Sequence, residues 1–211
     1  MEIIWHGYGC LSIKTKDGIA IINPYKDEIG LKLPNIKANV VLTSNSEDPA
    51  TNNAAGIGGE PKVLSWPGEY EVAGIAITAQ ELNNDPKLAD SMVFTLDADG
   101  LKVCYLTNVS TALSDEFVEN IGQVDVLIVP VSGNNAGYKE AHAAIEEIEP
   151  RAVVPMRYMT PGLKLTVDTL DNFAKQAGIA SVLPKDKFVL NAKSDLSEEK
   201  TEFVILNPIT A

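Results

Sequence analysis

Histidine, cysteine and arginine are scarce in this chain. His6 and His142 are the only histidines among 211 residues. They are too far apart in sequence for a helix-borne metal motif of the His-Glu-x-x-His kind. Two cysteines, Cys10 and Cys104, cannot make a zinc knuckle, which takes four Cys or His ligands at set spacings. Both lie in apolar stretches and read as buried free thiols. Arg151 and Arg157 are the only arginines, and the formal net charge is −12. Nucleic acid and anionic lipid require a basic patch that releases counterions, so neither is an expected partner. Apolar runs such as 126–131 are far too short to cross a bilayer, so no membrane insertion is expected. The opening MEIIWHGYGC has no basic start, long apolar core or small-residue cleavage site. That points to the cytoplasm, with leaderless export open as a second route.

The chain does have enough apolar residues, 45%, to bury a core without disulfides or metals. Its first half reads as short strands at 2–5, 10–14, 18–22, 39–43, 62–65, 69–72, 75–79, 92–97 and 101–106. Lys16-Asp17-Gly18 and Asp99-Gly100 are hairpin turns. Later strands are expected at 124–129, 151–155 and 202–206. Helices are expected at 114–120, 138–148 and 167–177; the second carries Tyr138, Ala141, Ala144, Ile145 and Ile148 on one face and stops at Pro150. Strand-rich halves that each end in helices predict an α/β protein: a four-layer αββα sandwich with two mixed sheets flanked by helices. With no linker, repeat or low-complexity tract, residues 1–211 read as a single domain. Loops 45–59, 83–90 and 132–137 are rich in Asn, Ala and Gly.

Ordered motifs then carry a resemblance. Trp5-His6-Gly7-Tyr8-Gly9-Cys10, Ile22-Asn23-Pro24-Tyr25, Trp66-Pro67-Gly68-Glu69-Tyr70-Glu71-Val72 and Thr160-Pro161-Gly162 resemble, in order and spacing, the metallo-β-lactamase-fold hydrolases. The similar branch is that of the ascorbate-phosphate lactonases. The resemblance implies one or two metals held by a His-x-His-x-Asp-His loop, two further histidines and a bridging aspartate, which turn water into a nucleophile. In this chain the loop reads Ser44-Asn45-Ser46-Glu47-Asp48-Pro49. Its three histidine positions fall on Ser44, Ser46 and Pro49, and only Asp48 remains. The bridging aspartate falls on Asn108 and the last histidine on Arg157. No histidine occurs near 81–84, and Tyr8 and Asn23 replace an accessory His and Asp of the pattern. The resemblance therefore implies a scaffold whose metal motif is lost, with no metal or other cofactor and no catalytic residue.

Ser44 and Ser46 are poor nucleophile candidates, because a serine needs a base and an oxyanion site within reach. Arg157 is expected in the vacated pocket, paired with Asp48, since a lone buried carboxylate is costly. The leading expectation is a catalytically inactive protein, a pseudoenzyme, with a structural role in self-assembly as a homo-oligomer or filament. The Asn- and Gly-rich loops or the termini would form its interface. Two alternatives stay open: a hydrolase with a reduced or relocated metal site, and a metal-free module that binds a small anion through Arg157.

Overall fold

A computed structural model describes residues 1–81, 92–109, 113–132, 137–179 and 181–211. Alternating aliphatic residues build the first sheet. In β1 (Glu2–Trp5), Ile3 and Trp5 are buried while Glu2 and Ile4 are half-buried. β2 (Leu11–Lys14) and β3 (Ile19–Ile22) pair antiparallel beside it. β4 (Val40–Leu42) and β5 (Lys62–Leu64) add in parallel, and β12 (Phe188–Val189) lies against the other side of β1. The strand order is β12-β1-β2-β3-β4-β5.

The second sheet begins as an antiparallel meander of β6 (Gly68–Val72), β7 (Ile75–Glu81), β8 (Met92–Ala98) and β9 (Leu101–Leu106). β10 (Val126–Pro130), β11 (Ala152–Met156) and β13 (Glu202–Phe203) extend it in parallel. Parallel strands need crossovers, and these hold α1 (Asp115–Ile121), α2 (Tyr138–Ile148) and α3 (Leu170–Gln176). β10 and β11 are apolar and buried at every position, as strands covered on both faces must be. Ser114 caps α1 by accepting from the Phe117 amide at 3.2 Å. α2 has the expected bounds and buries Ala141, Ala144 and Ile148.

The period of two sorts the first sheet's side chains between two cores. Ile3, Trp5, Leu11, Ile13, Ala20, Ile22, Val40 and Leu42 join the second sheet in the main core. Ile21 and Val41 point the other way, onto Tyr25, Ile29, Leu31 and Ile57. Two mixed sheets with helices are thus present. Among the described residues the outer cover of the first sheet is extended chain and 3₁₀ turns, such as Asp27–Ile29 and Ala54–Gly56, with no α-helix there. None of the described helices is long and apolar enough to cross a membrane.

Three elements differ from expectation for identifiable reasons. α3 begins at Leu170 because the Asp168 backbone is taken elsewhere: its N–H donates to Ser132 Oγ at 2.5 Å and its carbonyl accepts from Met159 N at 2.8 Å. The terminal strand ends at Phe203, after which Ile205 accepts from Lys185 N at 2.9 Å. β12 is two residues long, too short for a periodic signal. The loop expected at 83–90 and much of that at 132–137 lie outside the described residues.

Both chain ends are tied to the body. The Met1 ammonium donates to Leu190 O at 2.7 Å and lies 3.1 Å from Asp99. Ile209 N donates to Trp5 O and Ala211 N to Lys32 O. His6, buried, fixes the C-terminal tail from beneath: Nδ1 lies 3.1 Å from Ile209 O and Nε2 2.9 Å from Ser12 Oγ. A carbonyl only accepts, so Nδ1 carries the proton and Nε2 accepts from the Ser12 hydroxyl. Burial lowers the His6 pKa from its ordinary 6.5, opposed by the Ile209 carbonyl. The unfolded chain therefore binds the extra proton first as pH drops. Stability from His6 is full above about 6.5 and is lost as pH falls toward the folded-state value. The thermal midpoint should fall over that range in wild type and less steeply in His6→Gln; parallel pH profiles would sink this assignment.

Candidate functional site

Asn23, Ser44, Asn108 and Arg157 each sit just past the C-terminal end of a strand: β3, β4, β9 and β11. Three of these positions meet in one polar network. Asn23, fully buried, accepts from Ser44 N through Oδ1 at 2.8 Å and donates through Nδ2 to Tyr105 Oη at 2.9 Å. Tyr105 donates to Gly9 O at 2.7 Å. Burial pushes its pKa up to about 12, against the opposing pull of Arg157 and the Asn23 hydrogen bond, so it stays a neutral phenol. Arg157 N donates to Tyr8 O at 3.0 Å, and its guanidinium carbon lies 5.1 Å from the centre of the Tyr8 ring.

Tyr8, Asn23 and Arg157 all have left-handed backbone, with φ of 48°, 49° and 62°. Asn accepts this region readily, whereas for Tyr and Arg it costs roughly 1–2 kcal/mol each. Strained non-glycine residues persist where the surroundings over-determine them, commonly at functional sites. Here the strain gathers around one network.

The expected Arg157–Asp48 salt bridge does not form. Asp48 Oδ1 instead accepts from Ala50 N at 2.8 Å, and its carbonyl accepts from Thr51 N at 2.9 Å, closing an Asx turn. Among the described residues no acid lies within ion-pair distance of Arg157, and its buried Nε has no hydrogen-bond partner. Stacking on Tyr8 replaces the carboxylate. The loop's asparagines also turn inward. Asn45 Oδ1 caps Glu47 N, Asn52 Nδ2 donates to Ser46 O, and Asn53 Nδ2 donates to Tyr25 O. Pro49 holds its place through a carbonyl that accepts from Lys26 N. Asn108 makes no hydrogen bond to Ser44, Asp48 or Arg157.

A cleft of about 270 Å³ opens beside this loop. Ser44, Ser46 and Glu47 form one wall, and Ser65, Trp66 and Glu81 another. Sequence reasoning missed Trp66 and Glu81 as site residues. Trp66 entered only as part of a motif, although a Trp between Ser65 and Pro67 has no strand period to bury it.

The site does not fit a dinuclear zinc centre. Tetrahedral zinc takes imidazole, thiolate or carboxylate donors. The former ligand positions offer two serine hydroxyls, a proline, an amide and a guanidinium cation, with Asp48 committed to its own turn. Among the described residues no three His, Cys, Asp or Glu side chains gather closely enough to hold a metal. The cysteines do not help: both are free and buried, and burial pushes the Cys104 thiol up to about 12 and Cys10 higher still.

Comparison with known proteins gives the fold its relatives. A UPF0173 protein of Pyrococcus abyssi is 28% identical over 182 residues, covering 77% of this chain and 85% of the relative. A protein of Natranaerobius thermophilus named UPF0173 metal-dependent hydrolase is 19% identical and covers 76% of this chain and 84% of its own length. A crystal structure from Thermotoga maritima, described as that of a proposed Zn-dependent hydrolase of the metallo-beta-lactamase superfamily, matches with a TM-score of 0.78 at 28% identity over 98% of both chains. These names correct the expectation of a pseudoenzyme. Missing imidazoles argue against one metal centre, but the Natranaerobius thermophilus and Thermotoga maritima proteins, which match most of this chain, are named hydrolases. The metal-binding motif is lost on a retained metallo-β-lactamase fold. The family model for the beta-lactamase superfamily domain matches residues 2–157, and the chain belongs to that family.

Proposed function

We propose that this chain acts as a self-associating subunit, joined through the side of the sandwich where β5 and β6 end the two sheets. One observation carries this reading: the two edge strands are linked by a short turn whose Trp66 is 75% exposed, beside Val63 at 50%. Edge strands leave backbone N–H and C=O groups unpaired, which is a template for another chain. Tryptophan is the residue type most often found to dominate interface energy. The termini and the loop at 45–59 are bonded within the chain, the loop at 83–90 and most of that at 132–137 lie outside the described residues, and this edge is the candidate that the described residues offer. Self-association is compatible with the hydrolase names of the relatives.

A charge of −12 opposes close approach at low salt. The Debye length shortens from about 30 Å at 0.01 M to about 3 Å at 1 M, so salt should favour assembly. Sedimentation of the wild type is expected to move from monomer toward oligomer as salt rises, and Val63→Lys should hold it at monomer. A wild type that stays monomeric across that range would overturn the reading.

A second reading rests on Arg157. A half-buried guanidinium stacked on an aromatic ring, with no acid partner among the described residues, is suited to a small oxyanion such as phosphate. Phosphate should raise the thermal midpoint of the wild type and leave that of Arg157→Gln unchanged; equal shifts in both proteins count against it. Because no carboxylate among the described residues is stranded, the variant itself should cost only about 1 kcal/mol, the size of a cation–π contact.

A further inference from the structure

Among the described residues both sheets have open edges at opposite ends of the sandwich. β5 and β6 meet at one end, where Lys62 Nζ lies 5.5 Å from the centre of the Tyr70 ring. β12 and β13 meet at the other, where Lys185 Nζ lies 3.5 Å from Glu202 and 5.9 Å from the centre of the Phe188 ring. Between β12 and β5 three pairings are antiparallel, so these edge strands run in opposite directions. The same count holds between β13 and β6. A second copy set beside the first in the same orientation therefore meets it with antiparallel strands in both sheets at once. Side chains on the first sheet match this arrangement. Leu64 and Phe188 both pack in the main core, so by the period of two Val63 and Val189 point to the sheet's outer face. Both are uncovered, Val63 at 50% and Val189 at 46%, and Leu183 before β12 is 82% exposed.

We propose that copies of this chain join head to tail, the β5–β6 end of one onto the β12–β13 end of the next. The proposal rests on the self-association reading and names the surface that the β5–β6 edge meets. Opposite residues of an antiparallel pair have Cβ atoms about 4.5–5.5 Å apart, so Val63 of one copy covers Val189 of the next. Charge favours the same choice. Glu60, Glu69 and Glu71 are exposed at the first end against one lysine, Lys62, whereas residues 183–189 expose Lys185 and Lys187 against one acid, Asp186. Pairing through like edges is opposed. Glu69 and Glu71 share one face of β6, and an antiparallel β6–β6 pair centred on Tyr70 sets Glu69 against Glu71 twice. Like charges directly opposite are destabilising. A head-to-tail contact leaves a free end on each side, so repetition gives a ring or an open filament.

Sedimentation of the full chain at high salt tests the arrangement with Val63→Lys and Val189→Lys, which alter opposite ends. Thermal midpoints near that of the wild type show that both variants fold. Each variant alone should lose every species larger than the monomer. Mixed in equal amounts, they should give dimers of twice the monomer mass and nothing longer, because each supplies the end that the other lacks. Two results would overturn the head-to-tail arrangement with association itself intact: a Val189→Lys variant that assembles as the wild type does, or a mixture that stays monomeric while the wild type assembles. A wild type that stays monomeric at every salt concentration overturns association, and the arrangement with it.

Discussion

Asp125→Ala should lower the stability of the fold by roughly 3 kcal/mol, measured by urea denaturation. Asp125 is 1% exposed and lies just before β10. Its Oδ2 accepts from Lys102 N at 2.9 Å, which fixes the start of β9. Its Oδ1 lies 3.0 Å from Lys193 Nζ and 3.7 Å from Arg151 Nε, as ion pairs without hydrogen-bond alignment. Its backbone donates to Lys102 O and accepts from Ala152 N, tying β9, β10 and β11. Stranding a partner of a buried ion pair costs about 3–5 kcal/mol. The lower end applies because Lys193 is 40% exposed and regains water readily. Asp125→Asn keeps an acceptor for Lys102 N and loses only the charge, so it should cost distinctly less. A loss below about 1 kcal/mol for the alanine variant would show that water already screens the pair.

The strands were legible because their period of two and their turn residues are local properties. α2 was legible in full because its apolar stripe and Pro150 sit next to each other in sequence. The start of α3 was not, since Asp168 is held by Ser132 and Met159, contacts that no local window contains. The erased metal positions could be read one by one from the motif's spacing. What replaced them could not. Arg157 finds an aromatic ring where a carboxylate was expected, and only the distance between elements decides that. The turn that occupies Asp48 was readable in principle, because Asp commonly hydrogen-bonds the backbone two residues on. The Asp125 cluster escaped notice for the opposite reason: Lys102, Arg151 and Lys193 come from three distant segments.

Asn23→Ala should cost roughly 3–4 kcal/mol, and it tests whether the polar network now holds the two sheets together at the former metal site. Asn23 lies past β3 in the first sheet, and Tyr105 lies in β9 of the second. Their hydrogen bond is therefore a strut between the sheets at this end of the sandwich. Removing the amide leaves Ser44 N–H without its buried acceptor and Tyr105 Oη without its donor, at about 1–3 kcal/mol for an unmet buried group. Alanine also tolerates φ of 49° less well than asparagine, adding about 1 kcal/mol. Asn23→Asp separates hydrogen bonding from charge. The carboxylate can still accept from Ser44 N, but the fully buried side chain now carries charge away from water. Desolvation would raise its folded-state pKa above the ordinary value near 3.9. The folded chain then holds its proton longer than the unfolded one, so stability is greatest at acid pH and is lost as pH rises through that interval. An alanine variant as stable as the wild type would mean that the sheets are held here by apolar packing alone. An aspartate variant with no pH-dependent penalty would mean that Arg157 already neutralises the pocket.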